Sequence, residues 1–339
     1  MTRERWRSLV RGEGAAFGAG ADAPVESFGS PEDELRTALE DGPRIADLSH
    51  RARLVVEGDD AGSFLQNQVT GDLGRAAEGQ AMLTGIAQAG GRLIALFRLL
   101  PVDGAWWLVC RADAADALRE RLVQMKLRAR VGIGEPREDL GLIAIAGLDE
   151  RSAPVAEALP PGVSVAPLLE SPSGNAALAA GPWEGLAVLW ERLRTACRPV
   201  GWPAWRLGEI AAGIPDLPGA LAGRFLPQFL DLERLGGLSF SKGCFPGQEV
   251  IARTHYLGRT VRRLTCAETT GTPPAPGTPI RAAGSEAGVV LDAAPLPSGG
   301  ALVQAVVRVE VLEAGRTLFL GGDDGPPLVL RGDSPPFAE

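Results

Sequence analysis

Two apolar runs, Ala81 to Gln88 and Leu93 to Leu100, flank Ala89-Gly90-Gly91, and this arrangement predicts an antiparallel β-hairpin. Its neighbours narrow the fold further. Arg53 to Glu57 reads as a strand ended by Gly58. Asp59 is placed to cap a helix in which Phe64, Leu65, Gln68 and Val69 recur at helical spacing, and Thr70-Gly71-Asp72 predicts a turn. Trp106 to Cys110 predicts a buried strand. Asp113 is placed as the cap of a helix through Met125 that has Ala117, Leu118, Leu122 and Met125 on one face. Val131 to Ile133 and Leu140 to Ala146 resume strand character, Ala153 to Pro182 predicts loops around short elements, and Trp183 to Ala196 has an amphipathic helical pattern. Strands mixed with helices, without regular βα alternation, predict an α+β body and not a Rossmann sheet. No Gly-x-Gly-x-x-Gly follows a strand and no Walker loop is present, so those modes of nucleotide binding have no sequence basis.

Composition sets the boundaries. Residues 1–31 carry Arg3, Arg5, Arg7 and Arg11, but also Glu4 and Glu13 and no apolar core, and are expected to be a disordered extension and not a targeting peptide. The body is expected over 32–266, as two subdomains divided near 140–150. A Pro/Gly-rich stretch, Thr269 to Pro279, then leads to a small all-β module at 280–330, with a frayed tail at 331–339. A net charge of −8 argues against general nucleic-acid binding. No apolar run approaches the length of about 18 residues that a membrane-spanning helix needs. The cysteines Cys110, Cys197, Cys244 and Cys266 form no Cys-x-x-Cys. They fit a reducing, cytoplasmic compartment and give no self-contained metal site.

Chemistry concentrates in one window. Lysine occurs only at Lys126 and Lys242, histidine only at His50 and His255, and tyrosine only at Tyr256. Lys242, His255 and Tyr256 all fall close to Cys244. Gly243 and Gly247 flank the thiol and permit tight backbone approach, and Pro246 stiffens the loop. Helix character begins at Gln248 and Glu249, with Val250 and Ile251 apolar. Cys244 is thus expected just before a helix N-terminus, where exposed amides favour a thiolate. Lys242 is expected to add positive charge to that thiol and Phe245 to cover it. Arg253, Arg262 and Arg263 form a basic stretch suited either to an anion or to a solvated face.

Lys242-Gly243-Cys244-Phe245-Pro246-Gly247-Gln248-Glu249, followed by Ala252-Arg253 and Gly258-Arg259, closely resembles the signature of the YgfZ family. Further matches are Gly58-Asp59 through Phe64-Leu65-Gln66-Asn67-Gln68-Val69-Thr70, Gly213-Ile214-Pro215, Phe225-Leu226-Pro227-Gln228, and Leu235 to Phe240. The resemblance spans roughly residues 45 to 330. It implies a fold similar to that of the glycine-cleavage T-protein and the N-terminal domain of the tRNA-modifying GTPase TrmE: a ring of two ferredoxin-like α+β units plus a C-terminal β-barrel. It also implies tetrahydrofolate in a central cavity, contacted by Trp205, Glu209, Gln66, Gln68 and Gln228. The implied role is support of [4Fe–4S] client enzymes, such as the methylthiotransferases that modify tRNA, by a monomer. Cys244 and Lys242 would be central to it, with Gly243, Phe245, Gly247, Gln248, Glu249 and Arg253 shaping the site.

Two departures bear on this. The T-protein's catalytic aspartate follows a Gly-Gly hairpin, and Gly90-Gly91-Arg92-Leu93-Ile94-Ala95 has no carboxylate. That weighs against aminomethyl transfer, which needs a charge partner. Many relatives carry Glu two residues before the glycine of Gly-Ile-Pro, where this chain has Ala211; the nearest carboxylate is Glu209. The alternatives are a folate-dependent one-carbon transferase and a non-catalytic client adaptor.

Overall fold

The computed structural model describes residues 1–332 apart from 21, 77–78, 136–138, 149–158, 172–174 and 259. Most of the expected tail, parts of the loop-rich stretch after Ala153, and Arg259 lie outside the described residues.

Residues 3–20 and 22–28 are folded against the body, which corrects the expected disorder of the first 31. Helix α1 (Arg3–Gly12) starts after Thr2, whose hydroxyl accepts from the Arg5 N–H. A small hairpin of β1 (Ala16–Phe17) and β2 (Val25–Ser27) follows, then α2 (Pro31–Leu39) with proline in its first turn. The physical reason is Trp6. It is fully buried, stacks on Trp183 at 5.1 Å, meets Trp190 edge-on at 5.4 Å, and donates its indole N–H to Asp47 at 2.8 Å. Trp6 and Val10 make an i,i+4 apolar pair whose burial repays the ordering of the segment, and the surrounding arginines hide that pair in the composition.

Strand β3 (Arg44–Asp47) leads to the first sheet. Its elements are β4 (Ala52–Glu57), α3 (Ala61–Gln66), α4 (Leu73–Ala76), β5 (Met82–Ala87), β6 (Leu93–Val102), β7 (Ala105–Cys110), α5 (Ala115–Met125) and β8 (Gly132–Gly134). The strand order is β5-β6-β7-β4-β8, all antiparallel, with the expected hairpin as β5–β6. Phe64, Leu65, Leu118 and Leu122 cover Ile86, Phe97 and Leu108 on one face. Neither expected aspartate cap forms. Asp60, not Asp59, sits at the start of α3, and its carboxylate instead accepts from the Arg130 N–H at 2.8 Å. Asp113 lies in a 3-10 turn and accepts from Gly219 N–H at 3.2 Å.

The second sheet is built from β9 (Leu140–Ala146), β10 (Ser164–Pro167), β11 (Ala176–Pro182) and β12 (Arg198–Val200), with α6 (Trp183–Leu193) and α7 (Trp202–Ala211). Its order, β10-β11-β9-β3-β12, takes β3 from before the first sheet, so no single cut near 140–150 separates the two units. β3 pairs antiparallel to β9 and parallel to β12. Ile143 and Ile145 face α1 and α6, whereas Leu142, Ala144 and Ala146 face α2 and α7, as the two-residue period of a strand buried on both sides requires.

After α8 (Gln248–Leu257), six strands close a barrel: β13 (Arg262–Thr269), β14 (Pro279–Ala282), β15 (Ser285–Pro295), β16 (Ala301–Arg308) and, after α9 (Val309–Glu313), β17 (Leu318–Leu320) and β18 (Pro327–Leu330). β13 pairs with β16 along its whole length, although the composition placed it in the body. The proline-rich stretch is therefore a loop within the barrel and not a linker before it. The long connection from α7 to α8 carries two 3-10 turns. It buries Phe225, Phe229, Leu232, Leu238 and Phe245 together with Leu93 and Leu96 of the hairpin and Leu264 and Val289 of the barrel. The first sheet and the barrel thus meet along the segment that leads to Cys244.

Candidate functional site

The Cys244 loop is held from both ends. On its N-terminal side, Ser239 N–H donates to Thr70 at 3.0 Å, and Thr70 Oγ1 donates to the Gly237 carbonyl at 2.7 Å. A side chain at Gly237 would meet the Leu83 carbonyl at 2.2 Å, so glycine is needed for this approach to β5. Lys242 then reaches back to the end of α3. Its Nζ donates to the carbonyls of Gln66, Val69 (2.7 Å) and Gly71 (2.8 Å) and lies 5.3 Å from the Phe245 ring. Burial pulls this ammonium down to about 8. The expected role of Lys242 is corrected accordingly: its hydrogens are committed to three carbonyls, and it acts as a staple.

On the C-terminal side, Phe245 is buried in the core and does not cover the thiol, contrary to expectation. Gly247 has φ +81°, and a side chain there would meet the Gln88 carbonyl at 2.4 Å and Gly91 at 2.7 Å. Gly247 thus locks the start of α8 against the tip of the β5–β6 hairpin. Gln228, whose Nε2 donates to the Ile251 carbonyl at 2.7 Å, anchors the same helix. Gly243 has open space around it, so no close contact requires glycine there. Cys244 is exposed, whereas Cys110 and Cys197 are buried and Cys266 is intermediate. Helix α8 starts at Gln248, as expected. Gln248 is half-buried; Glu249 and Arg253 are exposed and pair with each other at 3.0 Å. Beside them His255 stacks on Phe240 at 4.1 Å, with Tyr256 edge-on to His255 at 4.7 Å. Arg262 and Arg263 lie on β13, half-buried.

Of the residues expected around folate, Gln66 and Gln228 sit beside the Cys244 loop, whereas Trp205 and Glu209 line a separate cleft. Glu209 is buried and pairs with Arg206 at 2.5 Å and Arg98 at 2.8 Å. Burial alone would raise its pKa, but the two guanidinium groups outweigh this and hold it below the ordinary carboxylate value. The pairs continue from Arg98 to Glu170 (2.6 Å), from Arg206 to Asp292 of the barrel (2.9 Å), and from Asp216 to Arg51 (2.7 Å) and Arg111 (3.5 Å). This network ties the first sheet, the turn after β10, α7 and the barrel together and leaves a gap of only about 10 Å³ between Leu83, Leu96, Arg98 and Asp216. Its members are scattered from residue 51 to 292 with no shared periodicity, which is why sequence reasoning found only Glu209. Behind it is a cleft of about 330 Å³ lined by Trp205, Glu209, Arg44, Asp41, Asn175 and Ala211. Trp205 is buried, with its indole N–H sealed from solvent and unpartnered. Gln66 closes a local turn, donating to Asp72 at 3.0 Å and accepting from Leu73 at 2.8 Å, and Gln68 is buried. Neither glutamine lines this cleft, and Cys244 does not line it either.

No family model matches the chain. Two curated relatives are named tRNA-modifying protein YgfZ. The one from Colwellia psychrerythraea is 28% identical over 229 residues, 66% of this chain and 70% of the relative. The one from Klebsiella pneumoniae is 28% identical over 277 residues, 77% of this chain and 84% of the relative. The glycine cleavage system aminomethyltransferase T from Bartonella henselae superposes with a TM-score of 0.73 at 18% identity, covering 95% of this chain and 94% of that one. The chain is similar to YgfZ proteins in sequence and to the aminomethyltransferase in fold. Its two α+β sheets and closed barrel are those of the aminomethyltransferase fold.

The YgfZ-like chain does not reproduce the acceptor set expected for a pterin. The 330 Å³ cleft has the size for a bicyclic ring, but Glu209 is committed to two arginines and Ala211 offers only a methyl on the wall. Ala211 is exposed, so a carboxylate there can stay hydrated. Ala211→Glu is expected to tighten tetrahydrofolate at least tenfold in calorimetric titration, since a charged hydrogen bond contributes about 1.5–3 kcal/mol. An unchanged affinity, or no binding by either protein, counts against a pterin in this cleft. Among the described residues, no group of three or more His, Cys, Asp and Glu side chains is placed to hold a metal ion.

Proposed function

We propose that this YgfZ-like chain sustains [4Fe–4S] enzymes that modify tRNA, acting in the cytoplasm through Cys244. The observation that carries the reading is the presentation of that thiol. It is exposed, on a loop clamped by the Lys242 staple on one side and by Phe245 and Gly247 on the other. A thiolate is the soft ligand that iron–sulfur clusters take. A single one supplies one ligand of four, so the cluster stays a substrate held mainly by the client protein, and the contact is transient. The names of the curated relatives support tRNA modification as the process served. The tip of the β5–β6 hairpin, packed against α8, carries Arg92 and no carboxylate, which leaves aminomethyl transfer without its charge partner.

The test is Cys244→Ser expressed in cells that lack the protein. Methylthio-tRNA content and [4Fe–4S] enzyme activity under oxidative stress are expected to fall to the level of the deletion strain. The melting temperature of the purified variant should stay within about 1 °C of the wild type, because an exposed side chain is changed. Full activity in the Ser variant would refute the cysteine's role.

A further inference from the structure

A wide cavity lies between α1, the β3–β4 connection and the start of α5, apart from the Cys244 loop. It encloses about 820 Å³, within the range of small-molecule sites. Five arginines line it against three carboxylates, Glu4, Asp22 and Glu135, a cationic wall in a chain of net charge −8. Arg7 is held by Ser49 Oγ at 3.2 Å and the Ala23 carbonyl at 2.9 Å, and Arg53 by the Leu140 carbonyl at 3.1 Å. Neither makes a salt bridge among the described residues. His50 lines the same space, set edge-on to Trp202 at 4.5 Å, and both of its ring nitrogens are sealed from solvent without a partner. Burial lowers the pKa of Arg7, pulls Arg53 down to about 10, and, reinforced by Arg51, pushes His50 down to about 3. Arg3 pairs with Asp22 at 2.6 Å and Arg51 with Asp216 at 2.7 Å, while Arg7 and Arg53 have the nearby charge of Asp47 but no salt bridge, so an anion in the cavity would supply the close partner that they lack. A neutral imidazole carries one N–H, which has no acceptor among the described residues, and the ring is a neutral reporter at the edge of the cavity.

We propose that this cavity binds a small organic polyanion, with its oxygens held by the guanidinium groups of Arg7 and Arg53, beside the ring of His50. Guanidinium forks take phosphoryl and carboxylate oxygens alike. The site shares no residue with the Cys244 loop, so it stands or falls independently of the function proposed above.

The experiment uses the full chain with inorganic pyrophosphate and citrate as separate probes, in calorimetry at low and physiological salt. One saturable site of submillimolar affinity, weakened by salt, is expected for at least one probe. Tighter pyrophosphate assigns phosphoryl ligands, and tighter citrate assigns carboxylates. Arg7→Gln, which can keep the bond to Ala23, should weaken binding at least tenfold. The chain has only two histidines, so labelled-imidazole NMR of the unmodified protein gives a second readout. The bound probe should shift His50 and leave His255 in place. Binding of neither probe, an unmoved His50 signal, or full affinity in a folded Arg7→Gln variant overturns the proposal.

Discussion

Asp216→Asn is expected to lower folding stability by about 3–5 kcal/mol, the range for breaking a buried ion pair by removing one partner. The Asp216 carboxylate accepts from Arg51 at 2.7 and 3.3 Å and lies 3.5 Å from Arg111, with all three side chains largely buried. An amide in its place leaves guanidinium charge buried without compensation. The pH dependence separates this from a packing defect. Burial alone would raise the Asp216 pKa, but Arg51, Arg111 and Arg206 reverse that and hold it well below the usual carboxylate range. Below about pH 4 the unfolded chain takes up a proton that the folded chain refuses. Stability therefore falls with acid in the wild type, and the contribution of this group is complete above that pH. The Asn variant should be less stable at pH 7 and should lose less on going to pH 3. Urea midpoints at the two pH values measure both effects, and wild-type stability at pH 7 would remove the network from any structural role.

Lys242→Met is expected to cost about 2–4 kcal/mol and to loosen the Cys244 loop. Three carbonyls, those of Gln66, Val69 and Gly71, lose their charged donor, and each such bond contributes about 1.5–3 kcal/mol without full additivity. The folded-state value of about 8 lies below that of an unfolded lysine, near 10.4. Between these values the unfolded chain binds more protons, so the wild type gains stability from this group as pH rises, and the deficit of the variant widens. Amide hydrogen exchange in residues 239–247 should accelerate well before global unfolding. Uniform protection across that segment would show that the staple does not fix the loop.

The sequence was most informative where a pattern is local. The hairpin around Gly90 and Gly91, the strand at Leu140 and the helix at Trp183 all follow from two-residue or 3.6-residue spacing. The motif around Cys244 was legible because its rare residue types cluster in the chain. What local patterns do not carry is pairing over distance. Trp6 reads as one apolar residue among arginines until Trp183 and Trp190 supply its partners. Lys242 reads as charge beside a thiol, and only the fold shows the three carbonyls that claim it. Asp216 and Arg51 lie 165 positions apart, and nothing near either one announces the other.

The placement of β3 has a consequence for synthesis on the ribosome. The first sheet can assemble as soon as Gly134 has emerged, since all its strands are contiguous in the nascent polypeptide. Ile45 and its neighbours, made earlier, have to wait for β9 on one side and for Arg198 to Val200 on the other. During translation at about 5–20 residues per second, that strand spends several seconds without its hydrogen-bonding partners. The last step of the body's assembly is therefore the closing of the second sheet around a strand made at its beginning.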